Sequence, residues 1–391
     1  MLYLGIDQHG KQLTISLRDE EGTVILRRQV STKPERIEAF FEGLCALAEP
    51  AGGFLAILEV CGFNDWLLKR LRQAGCLKVV LMHPEKRSRR KTDRRDAQAL
   101  SELLWLNRHR ILQGERTPGL RQVVIPTRLE QQQRELTSQR QRLGRQRTRC
   151  LNQIQGLLRR HNLTWECPTQ SFQTQAVDRW LRELTTSVKL TRLERMHLSH
   201  WLAQKELLES QIEELNELIV RYARHSESVS LLRSMPGVGA YSGLALASRI
   251  GKIQRFPRPR SLANYFGLTP SCRNSGETTD RLGSITKDGS RLARFILGQL
   301  VLHVLKRDPQ LREWYRGIKV RRGSKIARVA VMRRLTTVMW QMLTHRRPYE
   351  IGGAPQEIQK VSSSESVKNH AQARQKGSPR SRPRHRIGGA G

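Results

Sequence analysis

The hydrophobic pattern changes its period along the chain. Over residues 2–82 apolar positions come in short runs. Leu2 to Ile6, Leu13 to Leu17 and Thr23 to Val30 read as three strands, with turn chemistry at Asp7 to Gly10 and Asp19 to Gly22. Ile37, Phe40, Phe41, Leu44 and Leu47 recur at helical spacing and predict an amphipathic helix over 34–48. After Gly52-Gly53, Phe54 to Leu58 reads as a buried strand ending in Glu59. A helix carrying Trp66, Leu67 and Leu71 then stops at Gly75, and Leu77 to Met82 makes another buried strand. A last helix begins near Asp93 and carries Ala97, Leu100, Leu103, Leu104 and Leu106. Three strands followed by alternating helices and strands is a mixed α/β order, not a simple doubly wound one.

From about 125 to 225 the period is helical throughout. Leu129, Leu136, Leu143, Cys150 and Leu157 recur at sevens and Ile154 adds a second seam position, which predicts a coiled-coil stripe loaded with arginine. Gly144 and Gly156 weaken it, and Cys167-Pro168 marks a break. A second run over 190–223 carries Leu208, Ile212, Leu215, Ile219 and Tyr222, and its Glu206, Glu209, Glu213, Glu214 and Glu217 complement those arginines. The two runs therefore pair antiparallel in one chain or across protomers.

Leu231 to Gly239, followed by Leu244, Leu246, Ala247 and Ile250, reads as a helix-hairpin-helix. Gly237 and Gly239 would let the hairpin backbone approach a phosphate, and the next helix would offer free N–H groups; a tight packing turn is the plainer reading. Residues 290–345 are helical and basic, with Arg291, Arg294, Arg321, Arg322, Lys325, Arg328, Arg333 and Arg334 set to track backbone phosphates. The tail beyond about 352 has arginines without acidic counterweight and no apolar periodicity, so it reads as disordered. The expected divisions are an α/β domain over 1–124, a helical coiled-coil region over 125–228, a mostly α-helical C-terminal domain over 229–346 and a basic tail over 347–391.

Composition narrows the partners. A formal net charge of +35 in 391 residues destabilises a compact chain unless a polyanion neutralises it, so nucleic acid is the expected partner. Basic residues are spread along the whole chain, which argues against a membrane-surface helix. Cys45, Cys61, Cys76, Cys150, Cys167 and Cys272 show no paired spacing, which disfavours a zinc ribbon or disulfide framework and fits a reducing cytoplasm. The N-terminus lacks signal-peptide character, and no apolar run approaches the ~20 residues needed to span a bilayer. A cytoplasmic, nucleoid-associated protein is expected.

The acids are placed suggestively. Asp7 follows the first strand, Glu59 ends the strand after the first helix, and Asp93 and Asp96 lie one turn apart on the last helix, directly after Lys86, Arg87, Arg89, Arg90 and Lys91. Taken alone, Thr92 to Asp96 is an ordinary acidic helix N-terminus. If the two strands are neighbours, however, four carboxylates meet, and they cannot stay ionised together without cations, Mg²⁺ or Mn²⁺. Two such ions about 4 Å apart can clamp a phosphodiester.

With this spacing, residues 1–110 resemble a RuvC-like, ribonuclease H-fold domain with the D…E…D-x-x-D set of the DEDD insertion-sequence transposases, which are bridge-RNA-guided recombinases. The resemblance continues in Leu262 to Pro270 (A-x-x-G-L-x-P), Ser275-Gly276 and Gly283 to Gly289 (G-x-I-T-K-x-G). It implies that Ser275 is a nucleophile, a role that sequence chemistry alone does not assign, since Ser271, Ser275, Ser284 and Ser290 share one polar stretch. Where some members continue S-G-S-S, this chain has Ser275-Gly276-Glu277-Thr278, which changes the hydroxyls around the nucleophile. Lys287 and Arg291, with Gly237, Gly239 and the basic run 86–91, are the candidate nucleic-acid contacts.

Three readings follow. In the first, implied by the resemblance, Ser275 forms a covalent link to DNA beside a metal-binding carboxylate site, in a homo-oligomer directed by a structured noncoding RNA. In the second, a Holliday-junction resolvase-like endonuclease, water attacks between metals and Ser275 is a bystander; a covalent protein–DNA adduct separates the two. The third, a noncatalytic RNA-binding scaffold, leaves the four acids unexplained.

Overall fold

The first three apolar runs form β1 (Leu2–Gln8), β2 (Gln12–Arg18) and β3 (Val24–Ser31), each antiparallel to the one before. The computed structural model describes residues 1–83, 93–115, 117–118, 120–272 and 282–352, in two units that divide between Pro126 and Thr127. In the first unit α1 (Pro34–Ala48) leads to β4 (Phe54–Glu59), then α2 (Asp65–Gln73), β5 (Cys76–Met82), α3 (Asp93–Leu106) and α4 (Arg108–Gln113). β4 lies parallel to β1, and β5 parallel to β4. A two-residue strand, β6 (Gln122–Val123), caps the edge antiparallel to β5, giving the order β3-β2-β1-β4-β5-β6. Neither β6 nor α4 is foreshadowed by periodicity, because both are shorter than the windows in which a period can be counted. The mixed sheet is the expected α/β class and is consistent with a ribonuclease H-like transposase domain.

Strand alternation assigns the two faces. Leu2, Leu4 and Ile6 with Phe54, Ala56 and Leu58 pack under Phe40, Phe41 and Leu44 of α1 and Leu67 and Leu71 of α2. On the opposite face Tyr3, Leu55, Ile57, Val80 and Met82 pack under Leu100 and Leu104 of α3 and Ile111 of α4. Burying each such side chain contributes roughly 1.5–3 kcal/mol. Gly5 lies where α3 crosses β1: a Cβ there would stand 2.4 Å from both the Ala97 carbonyl oxygen and the Ser101 nitrogen. Only glycine lets the helix sit this close.

The second unit begins with α5 (Arg128–Arg160), a short 3₁₀ turn at Leu163–Glu166, α6 (Gln175–Leu184) and α7 (Arg192–Arg224). Capping boxes start both long helices, Thr127 with Glu130 and Thr191 with Glu194. Arg140 bonds to Asn216, Arg147 pairs with Glu209, Cys150 bonds to Gln204 and His161 meets Glu194. Numbers rise on one helix as they fall on the other, so the pair is an antiparallel hairpin within one chain. From Leu136 to Leu157 the sevenfold stripe runs along α7: Leu136 clusters with Ile219 and Ala223, Leu143 and Cys150 with Leu208 and Ile212, and Ile154 and Leu157 with Leu198 and Leu202, where α6 joins them; Leu129 is exposed. The break expected at Cys167-Pro168 is present, since residues 167–174 run without helix before α6.

The chain continues through α8 (Glu227–Arg233), α9 (Ala240–Ile250), α10 (Pro259–Tyr265), a hairpin of β7 (Pro270–Cys272) and β8 (Leu282–Ile285), α11 (Arg291–Arg307), α12 (Pro309–Arg322) and α13 (Ser324–His345). Leu246, Ile250, Phe266, Ile296, Leu300, Val331, Leu335 and Met339 make its core. Arg249 of α9 joins this core to the long hairpin. Its buried guanidinium donates to Thr137 and Ser138 hydroxyls, to the Arg134 and Ala245 carbonyls and to Ser290 Oγ, the cap of α11. Burial, and then the neighbouring Arg134, hold its pKa down to about 10.

Candidate functional site

The register of β1 on β4 pairs Gly5 with Ile57 and Ile6 with Leu58, so the next position along brings Asp7 beside Glu59 at the carboxyl ends of two parallel strands. Alternation puts Asp7 on the face of Tyr3 and Gly5, and Glu59 on that of Leu55 and Ile57; α3 covers this face. The direction of α3 follows from β2. Arg18, opposite Tyr3, bonds to Ser101 and pairs with Glu102, while Ser16, opposite Gly5, accepts from Ser101 Oγ at 2.9 Å. The next outward pair, Asp7 and Thr14, therefore lies toward the turn of α3 that holds Asp96 and begins at Asp93. The strand-neighbour condition set by the sequence is met, and three of the four candidate acids converge on one end of the sheet by backbone placement.

Among the described residues, no three His, Cys, Asp or Glu side chains are close enough to hold an ion. The Asp93 side chain lies outside that set, as do Lys86, Arg87, Arg89, Arg90 and Lys91 altogether. The donor chemistry nevertheless fits a hard cation: oxygen ligands at a partly open strand end suit Mg²⁺ or Mn²⁺, not a thiophilic metal. Asp7 has its side chain 17% exposed and its Oδ2 lies 3.1 Å from His9 Nε2. On the reverse face Asn64, buried, donates to Gln8 Oε1 at 2.9 Å and to the Glu59 carbonyl at 3.1 Å, while Gln8 donates to the Phe63 carbonyl. This clamp ties the ends of β1 and β4 together one residue from each acid. His9 in the β1–β2 turn, Thr14 within β2 and Asn64 at the start of α2 carry no signal in the sequence until the strand register is known.

In the second unit the two C-terminal motifs meet. Gly267 has φ +65, and a Cβ on it would lie 2.2 Å from the Asp288 carbonyl oxygen; one on Gly289, φ +72, would lie 2.2 Å from that of Tyr265. The motif glycines thus allow backbone to touch backbone. Arg294 locks the contact by donating through Nη1 to the Phe266 and Asp288 carbonyls. Lys287 is held at φ 58, a left-handed conformation rare for lysine, with its side chain exposed, and Arg291 is exposed as well. β7 and β8 flank residues 273–281, and Ser275 falls outside the described residues. At the α8–α9 turn Gly237 has φ +86 and packs on His303, where a Cβ would sit 2.5 Å from its Cβ, whereas nothing crowds Gly239. Packing accounts for the first glycine and not for the second.

Comparisons with known proteins match both halves in this order. A transposase model of the DEDD, IS110 type matches residues 4–163, and the model of the Transposase IS116/IS110/IS902 family matches residues 229–316. The transposase for insertion sequence element IS1111A of Coxiella burnetii is 28% identical over 305 residues, covering 76% of this chain and 79% of that protein. A probable family 20 transposase of Pseudomonas aeruginosa is 24% identical over 89% of this chain and 98% of its own length. A pilin gene-inverting protein of Moraxella bovis is 26% identical over 156 residues, covering 39% of this chain and 48% of that protein. Among the described residues no helix is long and apolar enough to cross a membrane. With its two matched segments in order and its strand-end acids on one face of a mixed sheet, the chain belongs to the DEDD insertion-sequence transposases, enzymes that break and rejoin DNA.

Proposed function

We propose that this transposase cuts and rejoins DNA through Ser275, with Asp7, Glu59, Asp93 and Asp96 forming a Mg²⁺ or Mn²⁺ site at the attacked phosphate. The observation that carries the reading is the convergence of Asp7 and Glu59 with the first turn of α3 on one face of the sheet. When bound, the metal would neutralise charge on the phosphate and favour the serine alkoxide. Ser275 Oγ attacks phosphorus, the bond to the leaving deoxyribose oxygen breaks, and the serine proton passes to that oxygen. The phosphoserine link retains the bond energy, so a second DNA hydroxyl can displace the serine without ATP. In this reading the acids come from residues 1–126 and the serine from residues 127–391, and the recombinase works as a homo-oligomer.

Target choice is delegated to a structured noncoding RNA in this reading. The net charge of +35 and the exposed arginines and lysines of α12 and α13 support polyanion binding, and inversion of a DNA segment, as the Moraxella protein's name describes, is the same class of strand exchange. The test is a trapping assay with the protein, its element's RNA, Mg²⁺ and labelled junction DNA under denaturing conditions. Wild type should give a labelled adduct; Ser275→Ala should abolish it, and Asp7→Asn should reduce it by about 10²–10³-fold, the scale expected when one group that stabilises developing charge is removed. Cut DNA without an adduct, with Ser275→Ala still active, would leave a metal-dependent hydrolase. An adduct formed equally well without RNA would remove the guide from the mechanism.

A further inference from the structure

Thr14 stands directly opposite Asp7 in the antiparallel pairing of β1 and β2. Side chains of such a pair point to the same face with their Cβ atoms about 4.5–5.5 Å apart. That face is the one α3 covers, as the Ser16–Ser101 hydrogen bond one pair further along establishes. Thr14 is 3% exposed, and its hydroxyl has no hydrogen-bond partner among the described residues. Its neighbour Ser16, equally buried, is bonded. A buried hydroxyl left unpaired lowers stability, and valine would fill the same space in a β-strand without that cost. The polar choice therefore needs a reason outside the fold of β2.

The reason lies across the strand. In the structure Asp7 Oδ2 lies 3.1 Å from His9 Nε2, and the His9 side chain is 44% exposed. A cation held between Asp7 and Glu59 would draw the carboxylate over the sheet end, along the face where the Thr14 hydroxyl waits. We propose that Thr14 is a positioning residue for the metal site: its hydroxyl donates to the Asp7 carboxylate in the ion-loaded enzyme and fixes the rotamer in which Asp7 faces the ion. This rests on the reading of the acids as a metal site. Partners that orient a metal-ligating carboxylate alter metal affinity by about 10–100-fold when removed.

The experiment uses the full-length protein and Mn²⁺ as probe, with free ion followed by electron paramagnetic resonance and thermal unfolding measured without metal. Wild type, Asp7→Asn, Thr14→Val and Thr14→Ser are compared. Wild type binds Mn²⁺ in an Asp7-dependent manner. Thr14→Val binds it at least tenfold more weakly, while its metal-free unfolding temperature equals or exceeds wild type, because an unpaired hydroxyl has been removed from the core. Thr14→Ser stays within threefold of wild type in affinity. Equal Mn²⁺ affinity in wild type and Thr14→Val would overturn the inference and leave the metal site standing. Loss of affinity accompanied by a lower metal-free unfolding temperature in Thr14→Val, and not rescued by serine, would make Thr14 a packing residue only. Absence of Asp7-dependent binding in wild type would overturn the metal site and this inference with it.

Discussion

The two halves of the candidate chemistry are held in different ways. In the α/β unit the acids are placed by strand register: once β1 lies beside β4, Asp7 and Glu59 are neighbours, and the clamp from Asn64 to Gln8 and the Glu59 carbonyl fixes their spacing. In the helical unit the flanks of the serine segment are held by backbone contacts that only glycine permits, Gly267 against Asp288 and Gly289 against Tyr265, with Arg294 across them. In the first arrangement the backbone ladder, not the acid side chains, sets where the acids stand. The second couples the motif to the stability of its unit. Loss of activity should therefore mean lost chemistry in one half and a lost scaffold in the other.

Steric substitution breaks this contrast most directly. Gly267→Val combines a left-handed backbone with a Cβ 2.2 Å from a carbonyl oxygen, and should destabilise the helical unit by about 3 kcal/mol or more. Gly5→Val should do the same to the α/β unit, because the Ala97 and Ser101 backbone cannot retreat without lifting α3. Asp7→Asn keeps the strand and loses only the charge beside His9, and should shift unfolding by about 1 kcal/mol or less while removing activity. Denaturant unfolding of the three variants checks this; an Asp7→Asn loss as large as that of Gly5→Val would erase the distinction.

Arg249→Leu comes next. The wild-type guanidinium satisfies three hydroxyls and two carbonyls drawn from α5, α9 and the cap of α11, and leucine would leave them buried without donors. A cost of roughly 2–4 kcal/mol is expected. Activity at permissive temperature should survive, since Arg249 touches no candidate site residue. Asn64→Ala sharpens the other side. It should cost about 1–3 kcal/mol, because the Cys61 N–H loses its acceptor and Gln8 Oε1 and the Glu59 carbonyl lose the Asn64 donor, and should also weaken Mn²⁺ binding, because the two strand ends are no longer tied. Unchanged Mn²⁺ affinity would show that register alone places the acids.

What the sequence conveys divides along similar lines. The strands from β1 to β5 and the helices α1 to α3 follow from period and turn chemistry, and the positions of Asp7 and Glu59 at strand ends follow with them. That these two strands adjoin does not follow, because it is a fact of topology between segments far apart in sequence. Thr14, His9 and Asn64 gain meaning only after that pairing exists. In the helical unit the sevenfold stripe from Leu136 to Ile154 faces one partner, α7, but the joining of α6 at one end and of α8 and α9 at the other is not written in its period. Glycine motifs are visible in sequence as motifs; only the contact between Gly267 and Asp288 shows what they permit.

The smallest expected effect concerns pH and belongs to the helical unit alone. Glu194 sits at the third position of α7, where its carboxylate accepts from His161 and from the Thr191 backbone and hydroxyl. These bonds, His161 first, hold its pKa down to about 2 from an ordinary 4.5. A depressed carboxylate stabilises the fold above its unfolded pKa, and that contribution is lost as pH falls from about 4.5 toward 2. Hydrogen exchange at the Glu194 and Arg195 amides, which bond to Thr191 Oγ1 and the Thr191 carbonyl, reads the first turn locally. Wild type should be better protected than Glu194→Gln at pH 6, and the difference should narrow by pH 3 and close only as pH approaches 2, since glutamine keeps the cap geometry but cannot titrate. The strand ends of the α/β unit are paired by amides and carbonyls that do not ionise in this range, so exchange at the amide of Val60, bonded to the Met82 carbonyl, should not distinguish the two proteins at either pH. A difference there would mean that the cap of α7 is felt across the division at Pro126, and the two halves would not be independently held.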